Sequence, residues 1–227
     1  MSSAQVLEMN SAAVSLLVQG KHDVSHFTLQ KALESYRQVL NEDEMSVSVN
    51  MDDDMEGTSL YTVEIHDAQH KALEQQSMVT VYNRAFVLTT DQAEQPFVSD
   101  NEHTVPAVLL YNMGLSHHIQ AMSVGSSALL RKALQLYSMS FSLLEHASGA
   151  LNDMDISVLL ALSNNMGVIS SSQFYDRPAA ESSRAMMERI LGSSDCLDCL
   201  EDEDIEFFSL NLMFLSEFQN HALAPAA

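Results

Sequence analysis

Tryptophan is absent from the sequence, and cysteine occurs only twice. Two thiols in 227 residues do not make a disulfide framework, so a hydrophobic core must carry the fold. Four prolines and seven glycines are too few for the many turns of a sandwich or barrel. They also leave little room for a glycine-rich phosphate loop, and no serine sits in a Gly-x-Ser-x-Gly elbow. No run approaches the roughly 18 apolar residues that span a bilayer. Met1 to Val18 carries no Lys or Arg, and its apolar residues are interrupted by Glu8 and Asn10, unlike a signal or transit peptide. The expectation is a protein of a reducing compartment: the cytoplasm, with the nucleus as the alternative.

Positive charge is also scarce. Ten basic residues stand against 31 acidic ones, a formal charge of -21. Such a surface repels phosphate backbones and anionic lipid headgroups, which argues against nucleic acid and membrane as partners. A basic or neutral protein is the favoured class, although the charge could equally serve solubility alone. What is abundant favours helix: Ala, Leu, Met, Gln and Glu, with 14 methionines.

The periodicity divides the chain into three helix pairs, an interruption and a closing helix. The first pair is 6–41, with Gly20 ending its first helix and Asp23 capping the second. Phe27, Leu29, Leu33, Tyr36 and Leu40 recur there at helical spacing. Residues 42–58 are acidic without a basic residue, the pattern of a solvated loop. Leu60–His66 and Met78–Leu88 read as strands of a small β ribbon, with helix as the alternative for Val81–Leu88. Residues 91–105 are polar. The other pairs are 106–146 and 155–191, with Pro106 at a helix start. The closing helix, 202–219, carries Phe207, Phe208 and Phe218. The whole reads as one domain.

Tyr111-Asn112-Met113-Gly114 and Asn165-Met166-Gly167 resemble the Asn-Leu-Gly run of a tetratricopeptide first helix. Ala133-Leu134 to Tyr137, Ala179, and the set Ala13, Leu16, Gly20, Ser25, Leu29 and Ala32 fall at that family's spacing. The resemblance implies stacked antiparallel helix pairs whose small residues let helices approach closely. It departs from the family in its uneven spacing and its missing helix-ending prolines. It further implies that first helices line an inner groove, where Asn112 and Asn165 would hold the main chain of an extended peptide. An amide that both donates and accepts suits that task; the alternative is a structural role between neighbouring helices. Neither 108–122 nor 155–172 contains Lys or Arg, so a clamp for a terminal carboxylate is not expected.

The remaining candidates carry less. His117, on the helix of Asn112, is assigned to the groove with it. His117, His118 and His146 do not form a zinc set, because adjacent helical residues point about 100° apart. His66 and His70 have metal-compatible spacing but no protease glutamate between them. Cys196-Leu197-Asp198-Cys199 is a lone CxxC among Asp195, Asp198, Glu201 and Asp202, which disfavour thiolate. The expected function is therefore a non-enzymatic scaffold without a cofactor or metal, binding a protein in a helical groove. The alternatives are a homo-oligomeric module joined through Phe207, Phe208 and Phe218, and a metal-binding or thiol-redox protein using Cys196 and Cys199.

Overall fold

The computed structural model describes residues 2–43, 58–65, 80–90, 103–146 and 152–221. The chain is mainly helical, and the described residues form one two-stranded antiparallel sheet, the fold class expected from the sequence. In chain order the elements are α1 (Ser3–Val18), α2 (His22–Asp43), β1 (Thr58–Glu64), β2 (Arg84–Thr90), α3 (Thr104–Val124) and α4 (Ser127–Glu145). Then follow α5 (Asp153–Ile169), a wide helical turn (Ser170–Phe174), α6 (Arg177–Leu191), the single turn α7 (Ser194–Leu197) and α8 (Asp202–His221). Most of the acidic run, His66, His70, Met78, Val79 and the side chain of Phe218 lie outside the described residues.

Local chemistry sets the helix boundaries. Gly20 adopts φ 70°, and Lys21 N–H bonds back to Leu16 C=O at 2.9 Å, which closes α1. Asp23 lies within the first turn of α2 rather than capping it, because the helix already begins at His22. Gly125, at φ 68°, ends α3, and the Ser126 hydroxyl accepts from Leu129 N–H to start α4. Asn152 and Asp155 form a reciprocal capping box on α5. Asp176 caps α6, with Pro178 in its first turn.

Each long helix packs on the next, from α1 through α6 to α8, while α1, α3, α5 and α8 also contact one another in sequence order. Those four alternate helices form one side of the array. α3 is apolar almost all round because α1, α2, α4, α5 and β2 surround it. The ribbon runs in front of them. β1 pairs with β2 in the register Glu64 to Arg84 through Thr58 to Thr90, extended by Ile65 N–H to Asn83 C=O at 2.9 Å. β2 thus begins and ends later than the Met78–Leu88 strand read from the sequence. Residues 80–83 are extended without belonging to the sheet. Ala85, Phe86, Val87 and Leu88 are all buried, so the middle of β2 is covered on both faces.

Small residues sit where the helices cross. A Cβ on Gly114 would lie 2.7 Å from the Tyr137 ring of α4. One on Gly167 would lie 3.1 Å from Leu215 of α8 and 3.3 Å from Ser183 of α6. Ser25 and Ser140 are buried and donate across to the carbonyls of Ala13 and Ala107 at 2.8 and 2.7 Å. Overpacking costs about 1–3 kcal/mol, against the ~1 kcal/mol that alanine gains over glycine within a helix. Gly114→Ala is therefore expected to lower the urea midpoint, and Gly167→Ala to change it less. Equal midpoints for both variants would refute the close α3–α4 contact.

Candidate functional site

β2 lies between two unlike neighbours. In an antiparallel pair, hydrogen-bonded residue pairs alternate with non-bonded ones. Because Ile65 and Asn83 form a bonded pair, the bonded positions of β2 are the odd ones: Ala85, Val87 and Thr89. The N–H and C=O groups of the even residues point the other way, towards the helices. Helix main chains have no groups to spare, so side chains must supply the partners.

Asparagines supply them. Asn112 on α3 accepts from Phe86 N–H at 3.0 Å and donates to Phe86 C=O at 2.7 Å. Asn165 on α5 accepts from Tyr82 N–H at 2.8 Å and donates to Tyr82 C=O at 3.1 Å. Asn211 on α8 accepts from Thr80 N–H at 3.1 Å and donates to Thr80 C=O at 2.7 Å. Each carboxamide thus binds one residue's main chain at both ends, as the adjacent strand of a sheet would. Asn10 on α1 adds a second bond to Phe86 C=O at 3.1 Å and accepts from Asn112 at 2.9 Å. Asn164 donates to Thr80 C=O at 3.1 Å and to Asn165 at 3.1 Å, and accepts from Asn211 at 2.7 Å. The Tyr111 hydroxyl donates towards the carbonyls of Tyr82 and Arg84, at 3.2 and 3.1 Å.

Both asparagines singled out in the sequence therefore hold an extended main chain, and that main chain is the protein's own. Asn112 and Asn165 are 0% exposed, and the segment 80–88 occupies the groove in front of them. Asn10, Asn164 and Asn211 belong to the same set, and no motif in the sequence singles them out. Their signal was faint: an asparagine in the interior of an apolar helix, where propensity and burial both oppose it.

The side chains of the segment are fixed as firmly. The Tyr82 ring packs on Phe207 and Phe208, with centroids 5.5 and 4.7 Å away, and its hydroxyl is 3.2 Å from both carboxylate oxygens of Asp204. Phe86 meets Tyr111 edge-on at 4.9 Å, and Tyr111 lies 5.6 Å from Tyr137. Arg84 pairs with Asp204 and Glu203, each at 3.2 Å. Burial raises the Tyr82, Tyr111 and Tyr137 hydroxyls far above the ordinary phenol range, so all three stay neutral hydrogen-bonding groups. Burial also raises Asp204, with Arg84 opposing it.

His117 is not part of this arrangement. Five residues beyond Asn112, it sits about 140° further round the helix. Its ring faces His26 of α2, with centroids 4.5 Å apart. Burial, His26 and Lys132 lower its pKa to about 4, and burial and Lys132 lower that of His26. His118 points elsewhere, 3.4 Å from the Tyr137 hydroxyl, and His146 contacts Ser142 C=O at the end of α4. Among the described residues, no three His, Cys, Asp or Glu side chains are placed to hold a metal ion. Cys196 and Cys199 are free and half-buried at α7, and the Cys199 thiol donates to Cys196 C=O at 2.9 Å. Its pKa is raised, first by burial and then by Asp153, so burial outweighs the neighbouring acids of its own loop. No helix among the described residues is long and apolar enough to cross a membrane.

Two outcomes are expected. Asn165→Ala orphans the buried Tyr82 N–H and leaves its C=O to the Tyr111 hydroxyl; at about 1–3 kcal/mol for the orphaned group, two-state denaturation should show a loss of that size. A loss below about 0.5 kcal/mol, the range of an ordinary surface change, would show that the contact does not support the strand. The second outcome concerns His117. Its folded pKa lies below the ordinary 6.5, so as pH falls from 6.5 towards about 4 the unfolded chain takes up the proton first and stability declines. The melting temperature should fall across that window less steeply in His117→Gln. Asp155 and Asp204 are raised and act in the opposite sense in both proteins, so the difference between the two curves isolates the histidine. No family model, curated protein or solved structure matches the chain.

Proposed function

We propose that the protein is a non-catalytic interaction scaffold, in which a tetratricopeptide-like helical array holds a β ribbon and offers it to a protein partner. The observation that carries this reading is the asparagine set. Asn112, Asn165 and Asn211 each hold both the N–H and the C=O of one residue, so the groove fixes the segment through its main chain. An expected external peptide is thereby replaced in the groove by residues 80–88, and recognition passes to the ribbon's exposed side, where Tyr61 stands 48% exposed. The formal charge of -21 favours a basic or neutral partner over nucleic acid or a lipid surface. Two free thiols suit a reducing compartment, cytosolic or nuclear.

A second reading, self-association, draws on α8. Phe208 is buried against Tyr82, and Phe207 packs on the same ring while half-buried. Leu210 and Met213, 48% and 49% exposed, form an apolar stripe on the outer side of the same helix. A monomer by light scattering at high concentration would end this reading.

The scaffold reading is tested by affinity capture with the wild type, Tyr61→Arg on the ribbon and Met139→Lys on the outer side of α4. A saturable partner retained by Met139→Lys and lost with Tyr61→Arg is the expected result. A partner lost equally from both variants, or no saturable partner, would count against it.

A further inference from the structure

We propose that Cys196 and Cys199 are a thiol–disulfide couple, oxidised by low-molecular-weight disulfides, that braces the corner between α6 and α8. The backbone already suits the bond. Leu197 belongs to α7, and Asp198 keeps helical dihedrals, φ -64° and ψ -19°. Side chains three residues apart on a helical turn share one face. Their Cα atoms lie about 5 Å apart by helix geometry, inside the roughly 4.4–6.8 Å that a disulfide spans. The Cys199 thiol folds back over its partner and donates to Cys196 C=O at 2.9 Å. Both thiols are free and half-buried. Cys199 also lines a cleft of about 380 Å³, beside Ser157 and Leu200, through which a small oxidant can reach it.

In the exchange, Cys199 gives its proton to water and its thiolate attacks one sulfur of the oxidant R–S–S–R. A Cys199–S–S–R bond forms, and RS⁻ leaves and is protonated. The Cys196 thiolate, its proton also given to water, then attacks Cys199 Sγ. The bond between the two cysteines forms as the second RS⁻ leaves and is protonated. Two protein thiols are thereby oxidised, and one small disulfide is reduced to two thiols. The setting makes the first step slow and the product durable. Burial, then Asp153 and Cys196, raise the Cys199 thiol, so little thiolate is present to attack. The same surroundings deny the reduced form the thiolate stabilisation that makes a disulfide a strong oxidant. A reducing compartment keeps the pair as thiols; an oxidised pool of small disulfides closes it. The corner it closes bears on the ribbon. Cys196, Cys199 and Leu200 pack on the core, and five residues beyond Cys199, Asp204 holds the Tyr82 hydroxyl and Arg84. The couple is independent of which partner the scaffold binds.

The test adds glutathione disulfide to the full-length protein in native buffer, alkylates the remaining thiols and reads the mass. The wild type should lose two hydrogens and take up no alkyl group, and dithiothreitol should reverse the change. Cys196→Ser should stop at a glutathione adduct on Cys199. The Leu200 amide bonds back to Leu197 C=O at 3.1 Å, within the braced corner. Its hydrogen exchange should slow by roughly tenfold in the oxidised protein. A wild type that stops at the adduct, stays unmodified, or closes only in urea would overturn the proposal, as would disulfide-linked dimers. Unchanged exchange at Leu200 in the oxidised protein would overturn the bracing of the corner. These outcomes are read on the wild type, so they hold even if Cys196→Ser fails to fold.

Discussion

A strand buried among helices has a main-chain problem that its own sequence cannot solve. One edge of β2 is met by β1. The other faces α1, α3, α5 and α8, whose peptide groups are committed to their own helices. Every N–H or C=O left unmet there costs about 1–3 kcal/mol, enough for two or three to erase the stability of a domain this size. The carboxamide of asparagine answers this directly: it is a peptide group on a short stem, able to accept and donate at once. Placed at Phe86, Tyr82 and Thr80, three such side chains stand in for a third strand.

Much of the surrounding architecture follows from that requirement. Phe86 and Tyr82 are four residues apart, about 13 Å along an extended chain, and are held by successive members of the inner helix row. Gly114 and Gly167 lie two residues beyond their asparagines, where Tyr137, Ser183 and Leu215 press against the same helices. The tyrosines serve twice: Tyr111 and Tyr82 fill space beside the strand and direct their hydroxyls to main chain or to Asp204. The array therefore behaves less as an empty groove than as a frame closed around a segment of its own chain.

The sequence made the frame legible and concealed what fills it. Helix periodicity located the three pairs and the closing helix to within a few residues, because each has a buried stripe of its own. The repeated Asn-Met-Gly run pointed to Asn112 and Asn165 and to what their amides hold, an extended main chain. It could not show that this main chain comes from the same molecule, since Phe86 and Tyr82 are 26 and 83 residues away. Asn10 and Asn211 lacked the following glycine and passed unnoticed. Periodicity starts the strand too early because residues 80–83 are as β-prone as residues 84–90, yet Thr80 and Tyr82 are bound by asparagines ahead of the β1 pairing. Proximity along the helix groups His117 with Asn112, whereas the helical rotation between them turns it towards α2. Phe207 and Phe208 show the same limit: an aromatic stripe is visible in sequence, but which neighbour covers it is not.

Site-resolved amide hydrogen exchange tests the central claim most directly. If asparagine side chains complete the sheet, the amides of Tyr82 and Phe86 exchange as slowly as those of Ala85 and Val87, which the β1 pairing protects. In Asn165→Ala the Tyr82 amide should accelerate first, with Phe86 following only on global unfolding. Rapid exchange of Tyr82 and Phe86 in the intact protein would contradict the account, because it would mean that this edge is met by water and not by the helices.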